Sequence, residues 1–134
     1  MEDKNSALFF ILHHSWDDYV HALRVANELD DERTAVIGAL HDVVEDGVAS
    51  FEELQNKFEL DEEQMTALRL LTRPKGMRYF SYIDALKSNK MAVAVKLADL
   101  KDNVGRCAEA LPYRFSLLKR YVKAYEELSK ARID

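Results

Sequence analysis

Gly38-Ala39-Leu40-His41-Asp42-Val43-Val44-Glu45-Asp46-Gly47 begins as the end of an apolar helix, then sets one histidine and three carboxylates ahead of a glycine. Helical neighbours lie three and four residues apart, so a helix continued to Gly47 would place Glu45 beside His41 and Asp46 beside Asp42. Acids crowded at a helix C-terminus repel one another and oppose the negative end of the macrodipole; a segment serving stability alone would carry Lys or Arg there. A divalent cation reverses that balance, because it becomes the largest local charge. Taken alone, the stretch reads equally as an acidic surface with one satisfied histidine.

Two further segments supply partners. Tyr19-Val20-His21-Ala22-Leu23-Arg24-Val25-Ala26 reads as helical, with His21 and Arg24 one turn apart, so an imidazole and a cation can reach the same cleft. The run from Lys90 or Met91 through Ala92, Val93, Ala94, Val95, Leu97 and Ala98 is apolar almost all round, as in a central buried helix. Asp99 closes that run, where a carboxylate without a partner is costly. Asn103 follows Asp99 by four and shares its face, while a structural Lys96–Asp99 pair is a competing account of the buried acid.

The order His21, His41-Asp42, Asp99 on helices resembles the ligand order of HD-domain metal-dependent phosphohydrolases. Within that superfamily, ALHDVVED at 39–46 followed by VKLADLKDN at 95–103 most resembles the hydrolase domain of RelA/SpoT-type alarmone enzymes, particularly their small stand-alone members. The resemblance runs from about Tyr19 to Asn103 and departs from the family at Ala22, where a proline usually follows the histidine. It implies an all-α HD-domain orthogonal bundle, with His21, His41, Asp42 and Asp99 as ligands of Mn²⁺. It also implies that the Glu45-Asp46 pair positions and deprotonates water, and that Asn103 orients a ribose or phosphate oxygen. Arg24 and Lys96 are further candidates for substrate contact.

The donor set agrees with a catalytic transition metal. Two imidazoles with two carboxylates suit Mn²⁺, Fe²⁺, Ni²⁺ or Zn²⁺ better than Mg²⁺ or Ca²⁺. Four protein ligands would close a tetrahedral Zn²⁺ site, whereas octahedral Mn²⁺ keeps about two positions open. The expected reaction is hydrolysis of a phosphate or diphosphate ester of a nucleotide, foremost removal of the 3′-diphosphate from ppGpp or pppGpp. The alternatives are a nucleoside monophosphate or NADPH phosphatase of the same superfamily, and a noncatalytic nucleotide-binding HD module.

The 134 residues suffice for one domain, 1–134, that folds without staples. A formal net charge of −5 argues against nucleic-acid binding but not against an anionic small molecule, since local cations can set the field in one cleft. The lone Cys107 suits a reducing cytoplasm, and no apolar run approaches the ~18 residues of a membrane span. Oligomeric state is left open.

Periodicity and punctuation give about seven or eight helices. The first runs from Asn5 to His14 with Asn5 or Ser6 as cap, and His13 and His14 as packing residues at its end. The second is capped by Asp17 or Asp18, with Trp16 in the core; the third is capped by Asp30 or Asp31 and ends at Gly47. Ser50 to about Phe58 opens on a capping box, followed by Asp61 to about Leu71 and by Tyr79 to Leu86. Pro112 suits the first turn of a last helix whose Lys and Arg residues face solvent. The loop carrying Arg73, Lys75 and Arg78, with Arg69 one turn earlier, reads as a solvated turn or as a phosphate clamp.

Overall fold

A computed structural model describes residues 3–109 and 115–132. The protein is all-α, with eight helices and no strand among the described residues. They are α1 (Lys4–Leu12), α2 (Trp16–Asn27), α3 (Glu32–Leu40), α4 (Phe51–Phe58), α5 (Glu62–Leu71), α6 (Tyr79–Leu86), α7 (Lys90–Glu109) and α8 (Phe115–Arg132). None is long and apolar enough to cross a membrane.

Side-chain oxygens set most of the helix starts by satisfying the free N–H groups of the first turn. Asp3, Ser15, Asp31, Ser50 and Asp61 each accept from the backbone N–H three residues on, and the last two complete reciprocal capping boxes with Glu53 and Gln64. Two expected caps are therefore displaced. Asp3 rather than Asn5 or Ser6 starts α1, since Ser6 supplies the donor; Ser15 rather than Asp17 or Asp18 starts α2, leaving both acids in the first turn where the dipole favours them. Pro112 lies outside the described residues.

The core forms around α7, which packs against α2, α3, α5 and α8. Val95 and Leu100 of α7 are fully buried with Val25, Ile37, Leu40 and Leu68, each contributing about 1.5–3 kcal/mol by leaving water. Helix α3 packs on α2 at Gly38, where a Cβ would lie at ordinary contact distance, 3.6 Å, from Ala26 Cα and would displace only the tip of the Leu29 side chain, 2.6 Å away.

Three expectations need correction. Helix α3 stops at Leu40 with His41 as its C-cap, and 41–47 form successive turns through Val43 N–H to Leu40 O (3.0 Å), Asp46 N–H to Asp42 O (2.9 Å) and Gly47 N–H to Val44 O (3.0 Å). Gly47 ends them at φ 75°, a conformation glycine adopts freely. Asp99 lies within α7, not at its end, because the helix continues to Glu109. Trp16, the first residue of α2, is 66 % exposed, its ring 5.6 Å from that of Tyr19.

Leu100→Ala leaves a cavity in the core around α7 and is expected to cost about 2–5 kcal/mol by denaturant unfolding; a loss under about 1 kcal/mol would contradict this account of the core.

Candidate metal centre

His21 from α2, His41 at the end of α3, Asp42 beside it and Asp99 from α7 converge, each offering one ligand atom, all within 4.8 Å of one another. His21 Nε2 and His41 Nε2 lie 2.8 and 3.0 Å from Asp99 Oδ1, and 3.7 and 3.2 Å from Asp42 Oδ2. Bonds of about 2.1 Å at right angles separate neighbouring ligands by roughly 3.0 Å, so the spacing is that of atoms facing a shared ion. The cluster could hold a metal ion.

The far ring nitrogens are already engaged. His41 Nδ1 lies 2.6 Å from Gly38 O, which can only accept, so Nδ1 carries a hydrogen and Nε2 faces the cluster, donating when the ring is protonated and able to ligate when it is not. His21 Nδ1 lies 2.6 Å from Asp102 Oδ2. Both Nε2 atoms then face the same oxygen of Asp99, an arrangement that needs a proton or a metal cation between donor atoms. Asp99 is divided between two duties: Oδ1 faces the imidazoles while Oδ2 accepts from Lys96 Nζ at 2.8 Å.

Electrostatics follow from this crowding. Burial opposes the charged form of His41, but the carboxylates of Asp42 and Asp99 outweigh it and hold its pKa well above the usual imidazole range. Burial likewise opposes ionised Asp99, but Lys96, His41 and the imidazole hydrogen bonds hold its pKa well below the usual range. Lys96 stays charged despite burial because Asp99 is beside it. Buried Tyr82, its pKa pushed up to about 12 chiefly by burial, stays neutral and donates to Leu71 O at 2.7 Å.

His21, Asp42 and Asp99 also wall a cleft of about 240 Å³ that includes Glu45, Arg73, Tyr79, Tyr82, Lys96, Asn103, Arg106, Arg120 and Tyr121. The structural Lys96–Asp99 pair is present, and Lys96 still lines this cleft. Asn103 Nδ2 sits 3.4 Å from Asp99 Oδ1, and Asn103 Oδ1 accepts a short hydrogen bond from Arg106. Glu45 accepts from Arg73 N–H at 3.0 Å. Asp46 instead lines a cavity of about 30 Å³ with His14, Asp18, His21 and Asp42, room for water and not for a nucleotide. Burial, then Asp42, Asp18 and Glu45, raises the Asp46 pKa.

Arg24 does not reach the cleft. It lines a separate groove behind Asp102, with Nη1 3.4 Å from Asp102 Oδ1, because the i+3 step from His21 carries it around α2, away from the ligands. Of the basic loop, Arg73 alone borders the cleft; Arg69 lies over Phe51, while Lys75 and Arg78 stand apart from the lining. His13 Nδ1 lies 2.7 Å from Phe9 O, and the His14 ring packs against Phe10.

Sequence reasoning missed Asp102, Arg106, Tyr79, Tyr82, Arg120 and Tyr121. Asp102 and Arg106 carried a signal, being one and two turns beyond Asp99 on the same helix. Arg120 did not: among the cations of α8 expected on a solvated face, it is half-buried, its guanidinium 4.1 Å from the Tyr79 ring centroid. Models of known protein families give no match to this chain, and no curated protein matches it significantly.

The sign of each shift sets the pH response. Stability from the raised His41 is complete below its ordinary value of 6.5 and lost as pH rises through the higher folded value; stability from the lowered Asp99 is present above 3.8 and lost only in stronger acid. Chelator-treated protein is therefore expected to lose melting temperature as pH rises above 6.5, while added Mn²⁺ raises it more at the alkaline end of the titration, where the imidazole has lost its proton and is free to ligate. A chelated melting temperature that climbs over this range would contradict the assignment.

Proposed function

We propose that the protein is a metal-dependent phosphohydrolase of the HD-domain type acting on a nucleotide, with (p)ppGpp as the first candidate substrate and Mn²⁺ as the cation. One observation carries the reading: three of the four candidate ligands, His21, Asp42 and Asp99, open onto a cleft bordered by Lys96, Arg73, Arg106 and Arg120 in a chain of net charge −5. A patch of this kind matches an anionic ligand whose charge the rest of the surface would repel.

A divalent cation held by His21, His41, Asp42 and Asp99 would supply an acidified water and polarise a phosphoryl oxygen. Glu45 stands at the cleft with one oxygen fixed by Arg73 N–H, so the other is placed to take the proton from attacking water. Arg120 Nε and Tyr79 OH are buried on the cleft wall without hydrogen-bond partners among the described residues, donors that phosphate oxygens would satisfy. Arg73 and Arg120 lie over the Tyr79 ring, and neither has a carboxylate partner among the described residues, so their charge remains to meet phosphate. Asn103 and Lys96 complete the lining beside Asp99 and orient the remaining oxygens. Asp46, on the far side of Asp42, assists through Asp42 and the small water-sized cavity rather than by touching substrate.

Turnover of ppGpp, NADPH and nucleoside monophosphates with added Mn²⁺ tests the reading, with ppGpp expected to be cleaved fastest. Asp99→Asn is expected to abolish activity with helix content intact. Glu45→Ala should lower kcat by about 10²–10⁴ with little change in Mn²⁺ affinity. Arg120→Ala should act mainly on KM. A well-folded, Mn²⁺-loaded protein that binds a nucleotide without cleaving any of them would make the cleft a binding module instead.

A further inference from the structure

Asp102 belongs to no ligand set described above, yet it is nearly buried and makes a 2.6 Å contact to His21 Nδ1. Its partners are unevenly matched. Arg24 Nη1 lies 3.4 Å from Oδ1 and Arg106 Nε 3.4 Å from Oδ2, both long for charge-assisted bonds, and both guanidinium groups are about half exposed. The His21 contact is the short one, and it sits on the side of the ring opposite the cluster.

That placement decides which nitrogen carries the hydrogen. An ionised carboxylate only accepts, so Asp102 draws the hydrogen to Nδ1 and leaves the Nε2 lone pair directed at Asp99 and Asp42. His41 reaches the same tautomer by another route, through the backbone carbonyl of Gly38 at 2.6 Å. A carbonyl dipole orients a ring; a full negative charge also makes it a more basic ligand.

We propose that Asp102 is the positioning residue of His21: it locks the ring in the Nδ1–H tautomer and strengthens Nε2 as a metal ligand. This rests on the four-residue metal centre but is independent of the substrate.

Mn²⁺ titration by calorimetry, with histidine nitrogen chemical shifts recorded on the metal-free and Zn²⁺-loaded protein, tests it without substrate. Asp102→Ala is expected to weaken Mn²⁺ binding about 10- to 100-fold and to let His21 populate the Nε2–H tautomer. Asp102→Asn, which keeps an accepting oxygen and the side-chain volume, should lose less affinity and remain folded if the alanine variant does not. Arg24→Ala, which removes an ion pair of Asp102 but not the His21 contact, should bind within about twofold of wild type. Unchanged affinity in both Asp102 variants, or an equal loss in Arg24→Ala, would overturn the positioning role while leaving the metal centre standing. Failure of the wild-type protein to bind Mn²⁺ would overturn both.

Discussion

Two imidazoles share one carboxylate oxygen in the middle of the protein. Asp99 Oδ1 receives His21 Nε2 at 2.8 Å and His41 Nε2 at 3.0 Å, and the opposite nitrogens of both rings are engaged by Asp102 and Gly38 O. Each ring has an acceptor holding a hydrogen on its far side. Between the near nitrogens and the carboxylates, a proton or a metal cation must lie. Two like charges about 4 Å apart cost roughly 4 kcal/mol at an effective dielectric near 20, so Asp42 and Asp99 together ask for positive charge that Lys96 only partly supplies.

The fold is arranged to deliver that geometry. Helices α2 and α3 pack together beside the two histidines, and the Gly38 carbonyl orients His41. The long α7 carries Asp99 into the core and then presents Asp102, Asn103 and Arg106 over the next two turns, ordering three layers of contact around one acid. The early end of α3 matters as well. Turns at 41–47 send Glu45 to the large cleft and Asp46 to the small cavity, whereas a continued helix would have kept both beside their i−4 neighbours.

The all-α architecture and the helix spans were legible because periodicity, capping residues and Pro/Gly punctuation are local signals. Asp42 and Asp99 could be singled out because an acid inside an apolar run and acids at a helix end both conflict with local stability, while His21 and the full set of four rested on the resemblance. The exact end of α3 was not legible: nothing in Val43-Val44 forbids another helical turn, and tertiary contacts chose otherwise. Arg24 was misplaced because a sequence interval gives a helical face but not what that face meets. Trp16 was misread as core on residue type alone. Arg120 and Tyr79 were invisible for a related reason, since their meeting depends on how α8 lies across α6, a long-range arrangement with no counterpart in spacing.

One cation shared by side chains from α2, the α3 terminus and α7 is the claim on which the cleft, the chemistry and the role of Asp102 all depend. The most direct measurement is anomalous diffraction from crystals of the protein grown with Mn²⁺. A single strong peak is expected within about 2.0–2.6 Å of His21 Nε2, His41 Nε2, Asp42 and Asp99 together. A peak bound elsewhere, or two histidines and two aspartates bonded only to one another in the presence of excess Mn²⁺, would contradict it.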